Sequence, residues 1–203
     1  MIQIRCIDSE RPFLVPKSLI SRRSKLFARK YADRTEMVYA DLGKCELGPG
    51  GEGPGDDRFN RYLQLLYTGD IVSNGESDSD VWRSMLEIYD VAATLEDSKS
   101  ANVILDKIAE TLHRTGLHSD LLEDIYNLLH EYDYDLVLPQ QLIIDFVVTC
   151  MTSQELEILF EANILWKDEI FKDVAFAYAR QREEEGRTPQ KTLEQLDKYY
   201  MKD

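Results

Sequence analysis

Between Arg58 and Ile71 the side chains Phe59, Tyr62, Leu63, Leu66 and Tyr67 fall at i, i+3, i+4, i+7 and i+8. That spacing gives one wholly apolar face to a helix. Asp56 and Asp57 offer oxygens to the free amides at its start, and Gly69 suits the left-handed turn that stops it. So wide a face needs a partner on both flanks, which predicts a central helix. Upstream, Ile2, Ile4 and Cys6 alternate with Gln3 and Arg5, and Phe13 and Val15 alternate again beyond a turn at Asp8-Ser9-Glu10. This is the period of two strands in a hairpin. Pro16 and Ser18 mark the start of one helix over Ser18–Tyr31, with Leu19, Ile20, Ser24 and Phe27 on its apolar stripe. Met37, Tyr39 and Asp41 then alternate with Val38 and Ala40 in a third short strand.

Downstream the period becomes helical throughout. Trp82, Met85, Leu86, Tyr89, Ala92 and Ala93 share a face over Val81–Leu95, and Ile104, Ile108 and Leu112 share one over Ala101–Arg114, closed by Gly116. Leu121, Leu122, Ile125 and Leu129 follow, capped by Ser119; Leu142, Ile143, Phe146, Val147 and Cys150 form a helix beginning after Pro139. Thr152 and Glu155 make a capping box for Leu156, Leu159 and Phe160. Ile170, Phe171, Val174 and Tyr178 carry a longer helix that Gly186-Arg187-Thr188-Pro189 breaks, and Leu193, Leu196 and Tyr200 form a last amphipathic piece. The expected class is α+β: a small sheet flanked by a helical cluster over residues 1–116, an all-helical extension over 117–185, and a short terminal helix or tail over 186–203. The Gly/Pro stretch 46–56 reads as a flexible insertion. As a phosphate cradle it lacks a following Gly-Lys-Ser/Thr, loses two amides to Pro49 and Pro54, and carries Glu52, Asp56 and Asp57.

Composition narrows the function classes. No apolar run in the 203 residues approaches the roughly 20 needed to cross a bilayer, and nothing at the start resembles a signal peptide. Cys6, Cys45 and Cys150 are too scattered for a disulfide framework and fit a reducing compartment, so an intracellular location, cytoplasm or nucleus, is expected. The net charge of −14 is uneven: residues 1–35 hold nine Lys/Arg against three Asp/Glu, about +6, and the remainder is about −20. An acidic body repels phosphate and argues against nucleic acid as a partner. The basic set Arg22, Arg23, Lys25, Arg29 and Lys30 reads as the solvated face of an amphipathic helix. His113, His118 and His130 have no cysteines at zinc-finger spacing, and no Gly-x-Ser-x-Gly elbow occurs. The acidic run Glu131-Tyr132-Asp133-Tyr134-Asp135 reads as a solvated loop. No catalytic, cofactor-binding or metal-ligating residue is assigned, and no cofactor is expected.

The order and wording of these segments resemble a BTB/POZ domain. Phe13-x-Val15-x-Lys17-x-Leu19-Ile20 and Ser24-x-x-Phe27 match the family's F-x-V-H-K-x-x-L and S-x-F-F. Tyr62-Leu63-x-x-Leu66-Tyr67-Thr68-Gly69 looks like its helix and Y-T-G turn. Leu86-x-x-Tyr89-x-x-Ala92-x-x-Leu95 and Asn102-x-x-x-Asp106 are similar to its next two helices. The match spans residues 2 to about 115, and the helical remainder looks like the extension of many fungal members. The chain departs from the family at three places. Pro16 stands for the usual His, the first strand opens at Ile2 with no N-terminal helix of the kind that drives strand-swapped dimers, and Tyr31-Ala32-Asp33 only approaches the hydrophobic-x-Glu signature of cullin-binding members. The resemblance implies an interaction module acting as scaffold or adaptor without catalysis, with protein partners or homo- or hetero-oligomers through the BTB-like domain. Its alternative is a substrate adaptor of a cullin-RING ubiquitin ligase, with Phe27, Tyr31, Asp33 and Arg34 as candidate partner-binding residues; a second alternative, resting on the basic N-terminal helix, is a transcription-associated regulator.

Overall fold

The computed structural model describes residues 1–6, 11–31, 38–41, 56–71, 77–115, 125, 137–150 and 200–201. Three short strands, β1 (Ile2–Arg5), β2 (Phe13–Val15) and β3 (Val38–Asp41), form one sheet in the order β2-β1-β3. The first pair is antiparallel, with Ile2 opposite Val15 and Ile4 opposite Phe13; the second is parallel, with Ile2 opposite Val38. Period-two patterning sends Ile2, Ile4, Cys6 and Val15 inward, all of them buried. Gln3 and Leu14 form a register pair on the opposite face, where Leu14 is exposed. With its six helices the described chain is mostly helical, of the α+β class.

The expected single helix at Ser18–Tyr31 is two: α1 (Lys17–Arg23) and α2 (Lys25–Tyr31). Ser24 takes an extended backbone (φ −92°, ψ 118°) between them. Its hydroxyl accepts the Phe27 amide at 3.1 Å, so a residue placed on the apolar stripe is instead the cap of a new helix. Ile20, Leu26 and Phe27 still point into the core.

The helices α3 (Asp56–Thr68) and α4 (Asp78–Thr94) pack against each other. α3 ends as expected at Gly69, whose φ is +75° and whose amide reaches the Leu65 carbonyl at 2.9 Å. Its buried face differs from the expected one. Phe59, Tyr62, Leu63 and Leu65 are buried, Leu66 is half-buried, and Tyr67 is exposed. The cause is the partner helix: Arg58 and Arg61, on the same stripe as Leu65 at i, i+3 and i+7, reach Glu87 and Asp90 of α4. α4 therefore covers that flank and turns the buried arc away from Tyr67. Asp56 and Asp57 lie in the first turn of α3, inside the helix rather than before it.

The central rod is α4. Trp82, Met85, Leu86, Ile88, Tyr89, Val91 and Ala92 are buried, and Ser84 and Glu87 with them, so it is enclosed nearly all round. It starts with a capping box in which the Ser77 hydroxyl accepts the Asp80 amide and Asp80 accepts the Ser77 amide. Trp82 Nε1 is buried with no hydrogen-bond partner among the described residues.

Next come α5 (Ser98–Thr115) and α6 (Val137–Cys150). The expected stripe of Ile104, Ile108 and Leu112 is buried. In α6, Leu142, Ile143, Phe146 and Val147 are buried, but the helix begins at Val137 and includes Pro139. In a first turn the amide has no intrahelical acceptor, so proline costs no hydrogen bond there. The chain divides into two compact units, Met1–Ile104 with Met201–Asp203, and Leu105–Tyr200. Within the second, Tyr200 Oη donates to Asp106 Oδ1. The Gly/Pro stretch at 46–55, the segment 117–124 and all of 151–199 lie outside the described residues. No described helix is long and apolar enough to cross a membrane.

Candidate functional site

The densest polar constellation in the first unit lies where the α1–α2 elbow meets the turn between α4 and α5. The turn is made by Leu95, Glu96 and Asp97. The Glu96 amide bonds to the Ala93 carbonyl at 2.9 Å and the Asp97 amide to the Ala92 carbonyl at 2.8 Å. This pair of bonds is a Schellman ending, whose left-handed position usually holds glycine. Here it holds Glu96, at φ +54°. A side chain in that region costs about 1–2 kcal/mol, so something must hold Glu96 in place. Its carbonyl accepts the Lys25 amide at 3.3 Å, and its carboxylate takes both arms of Arg29 at 2.5 and 2.6 Å. That contact raises the Arg29 pKa, through the hydrogen bond first and the opposite charge second.

Asp97 follows directly and is fully buried. As the cap of α5, its Oδ1 accepts the Ser100 amide at 3.0 Å. Oδ2 accepts the Ser100 hydroxyl at 2.5 Å and the Tyr62 hydroxyl at 3.0 Å. Arg23 Nε faces both oxygens at 3.4 Å, and its Nη2 donates to Ser100 Oγ at 2.6 Å. Ser24 completes the seam by donating to the Leu95 carbonyl at 2.5 Å. Burial first, and the neighbouring Asp97 charge second, push the Tyr62 pKa well above its ordinary 10.0, so the phenol stays protonated and donates. Four donors converge on one carboxylate, as a buried charge requires. Its chemistry is that of a clasp: opposed charges and caps lock the first two helices to a turn some 70 residues later.

The sequence-predicted partner residues fare unequally. Phe27 is 1 % exposed, its ring packed 5.5 Å from that of Tyr31, so it is core. Tyr31 is half-exposed at the end of α2. Asp33 and Arg34 lie outside the described residues, as do His118, His130, Cys45 and the run 131–135. The basic face is partly spent inside the unit, since Arg23 and Arg29 face Asp97 and Glu96 while Arg22 is exposed. Sequence reasoning missed Glu96 and Asp97. The signal was Asp97 followed three residues later by Ser100 just past the Leu95 end of an apolar face, an N-cap pattern. Among the described residues no group of three or more His, Cys, Asp or Glu is placed to hold a metal ion. Large apolar side chains reach the surface at Met1, Leu14, Tyr67 and Val103.

No protein-family model matches this chain, and no curated protein or solved structure matches it significantly.

Proposed function

We propose that this chain is a protein–protein interaction module of the BTB/POZ type, working as a scaffold or adaptor without catalysis of its own. The observation that carries the reading is the order of assembly. A hairpin leads into two short helices meeting at Ser24, a third strand lies parallel on the first, and the helix ending at Thr68-Gly69 leads to the buried α4 and to α5. The strand-strand-helix-strand order followed by helices is the one expected from sequence, with the first helix divided at Ser24. Two further features support it. The seam's charged and hydroxyl groups are engaged with one another, which gives them a holding role. Tyr67, in the family-like Tyr-Thr-Gly turn, and Leu14, on strand β2, offer apolar surface outward, as binding faces do.

The experiment is solution mass by multi-angle light scattering on the full chain at micromolar concentration, with a parallel pull-down against a cullin N-terminal domain. A mass at a multiple of 23.5 kDa, or a retained cullin, supports the module and says which version operates. A clean monomer with nothing retained refutes both the self-association and the ligase-adaptor forms.

A further inference from the structure

On α5 the side chain of Asn102 meets the backbone of Met201, 99 residues further along and within the same unit. Met201 N donates to Asn102 Oδ1 at 2.8 Å, and Asn102 Nδ2 donates to the Met201 carbonyl at 3.3 Å. One carboxamide thus serves both the N–H and the C=O of a single residue. Those two groups point to the same side only where the backbone is extended, and residues of an antiparallel ladder exchange the same pair of bonds. The Asn102 side chain therefore stands in for one residue of a strand. Nothing in this pair of bonds reads the Met201 side chain.

We propose that Asn102 is a binding site for an extended peptide backbone, and that the backbone of Met201 is its resident occupant. The ligand class follows from the chemistry: any segment with an extended, non-proline residue can make the pair, whatever its side chain. Asn102 is half-buried, between the exposed Lys99 and Val103 on the open side of α5. Asparagine is a poor choice for a helix interior on propensity alone, which fits a residue kept for its carboxamide. Two hydrogen bonds are a weak hold, so the occupant exchanges with a competing segment. A partner's strand-like peptide must displace Met201 to bind. The inference stands on this geometry and does not rest on the family reading.

The test uses the full chain, following the Met201 amide by hydrogen exchange in NMR spectra. The wild type should protect that amide about tenfold or more over the free-peptide rate. Asn102→Ala should remove the protection, and Asn102→Asp, which keeps the acceptor and loses the donor, should leave part of it. A synthetic peptide of residues 196–203, added in excess, should progressively abolish the protection. The same peptide N-methylated at Met201 should not, because it lacks the donor. A peptide with Met201 changed to Thr should compete as well as the parent. Exchange at the free rate in the wild type, unchanged protection in Asn102→Ala, or equal competition by the N-methylated peptide would each overturn the proposal. The two peptide arms need no variant to fold.

Discussion

Asp97→Ala isolates what the clasp contributes. The substitution removes the α5 cap, which is worth about 1 kcal/mol. It also leaves the buried Tyr62 hydroxyl without its acceptor (3.0 Å in the native chain), at a further cost of about 1–3 kcal/mol. Arg23 adds less than a tight ion pair would: its Nε lies 3.4 Å from each oxygen and its side chain is 24 % exposed, so it can turn to water. The cap and the Tyr62 acceptor together give an expected loss of about 2–4 kcal/mol. Asp97→Asn keeps one acceptor oxygen, for either the Ser100 amide or the Tyr62 hydroxyl, and turns an N–H donor toward the other, so it should lose about 1–3 kcal/mol. Urea unfolding of the full chain, followed by tryptophan fluorescence, gives both values from the midpoints at constant slope. Adding Tyr62→Phe completes a double-mutant cycle, and coupling with Asp97→Ala should be about 1 kcal/mol or more. If Asp97→Ala costs less than about 1 kcal/mol, or if the cycle shows no coupling, then the carboxylate is not the hub described here.

Tyr62 makes a pH prediction. Its folded pKa lies above the unfolded 10.0, so its contribution is fully present below pH 10 and is lost as the pH rises beyond it, at about 1.4 kcal/mol per pH unit. Urea midpoints between pH 8 and 11 should fall more steeply for the wild type than for Tyr62→Phe. Leu65→Ala, in a buried position, should cost about 2–5 kcal/mol while Leu66→Ala costs clearly less; the reverse order would mean that α4 does not cover the 58/61/65 stripe. Trp82→Phe removes volume but also a buried N–H that has no acceptor among the described residues. It should cost less than about 2 kcal/mol, well below the 3–5 of a truncation to alanine, and thermal unfolding checks it.

Much of the frame was legible because its causes are local. Strand alternation at Ile2, Ile4 and Cys6, the Ile104-Ile108-Leu112 stripe and the stop at Gly69 depend on period and on one backbone preference, and each is where the sequence places it. What was not legible depends on partners far along the chain. The buried arc of α3 is set by which flank α4 covers, so Leu65 goes in and Tyr67 out although the face read from α3 alone includes Tyr67. Ser24 occupies a stripe position by spacing, yet its hydroxyl caps α2 and reaches the Leu95 carbonyl. Phe27 was singled out as a contact for partners and is a core side chain, because the same amphipathic logic that draws attention to an aromatic residue also buries it. Glu96 was hardest to see: a left-handed helix ending is expected at glycine, and only contacts from the elbow some 70 residues earlier explain an acid there.

Those contacts also use part of the lopsided charge of the chain. The basic excess before residue 35 and the acidic excess after it look, on the linear sequence, like two surfaces for two kinds of partner. Folded, Arg23 and Arg29 meet Asp97 and Glu96 across sequence separations of 74 and 67 residues, so part of the asymmetry is consumed in closing the unit. Removing the acids at the turn would thus do two things at once: loosen the elbow and leave Arg23 and Arg29 without these acidic partners. An increase in salt-sensitive binding to a generic duplex in the Glu96→Gln, Asp97→Asn double variant, absent from the wild type, would show the basic face to be a by-product of internal pairing. Equal binding by both proteins would instead make Arg22, Lys25 and Lys30, which the clasp leaves on the surface, the source of it.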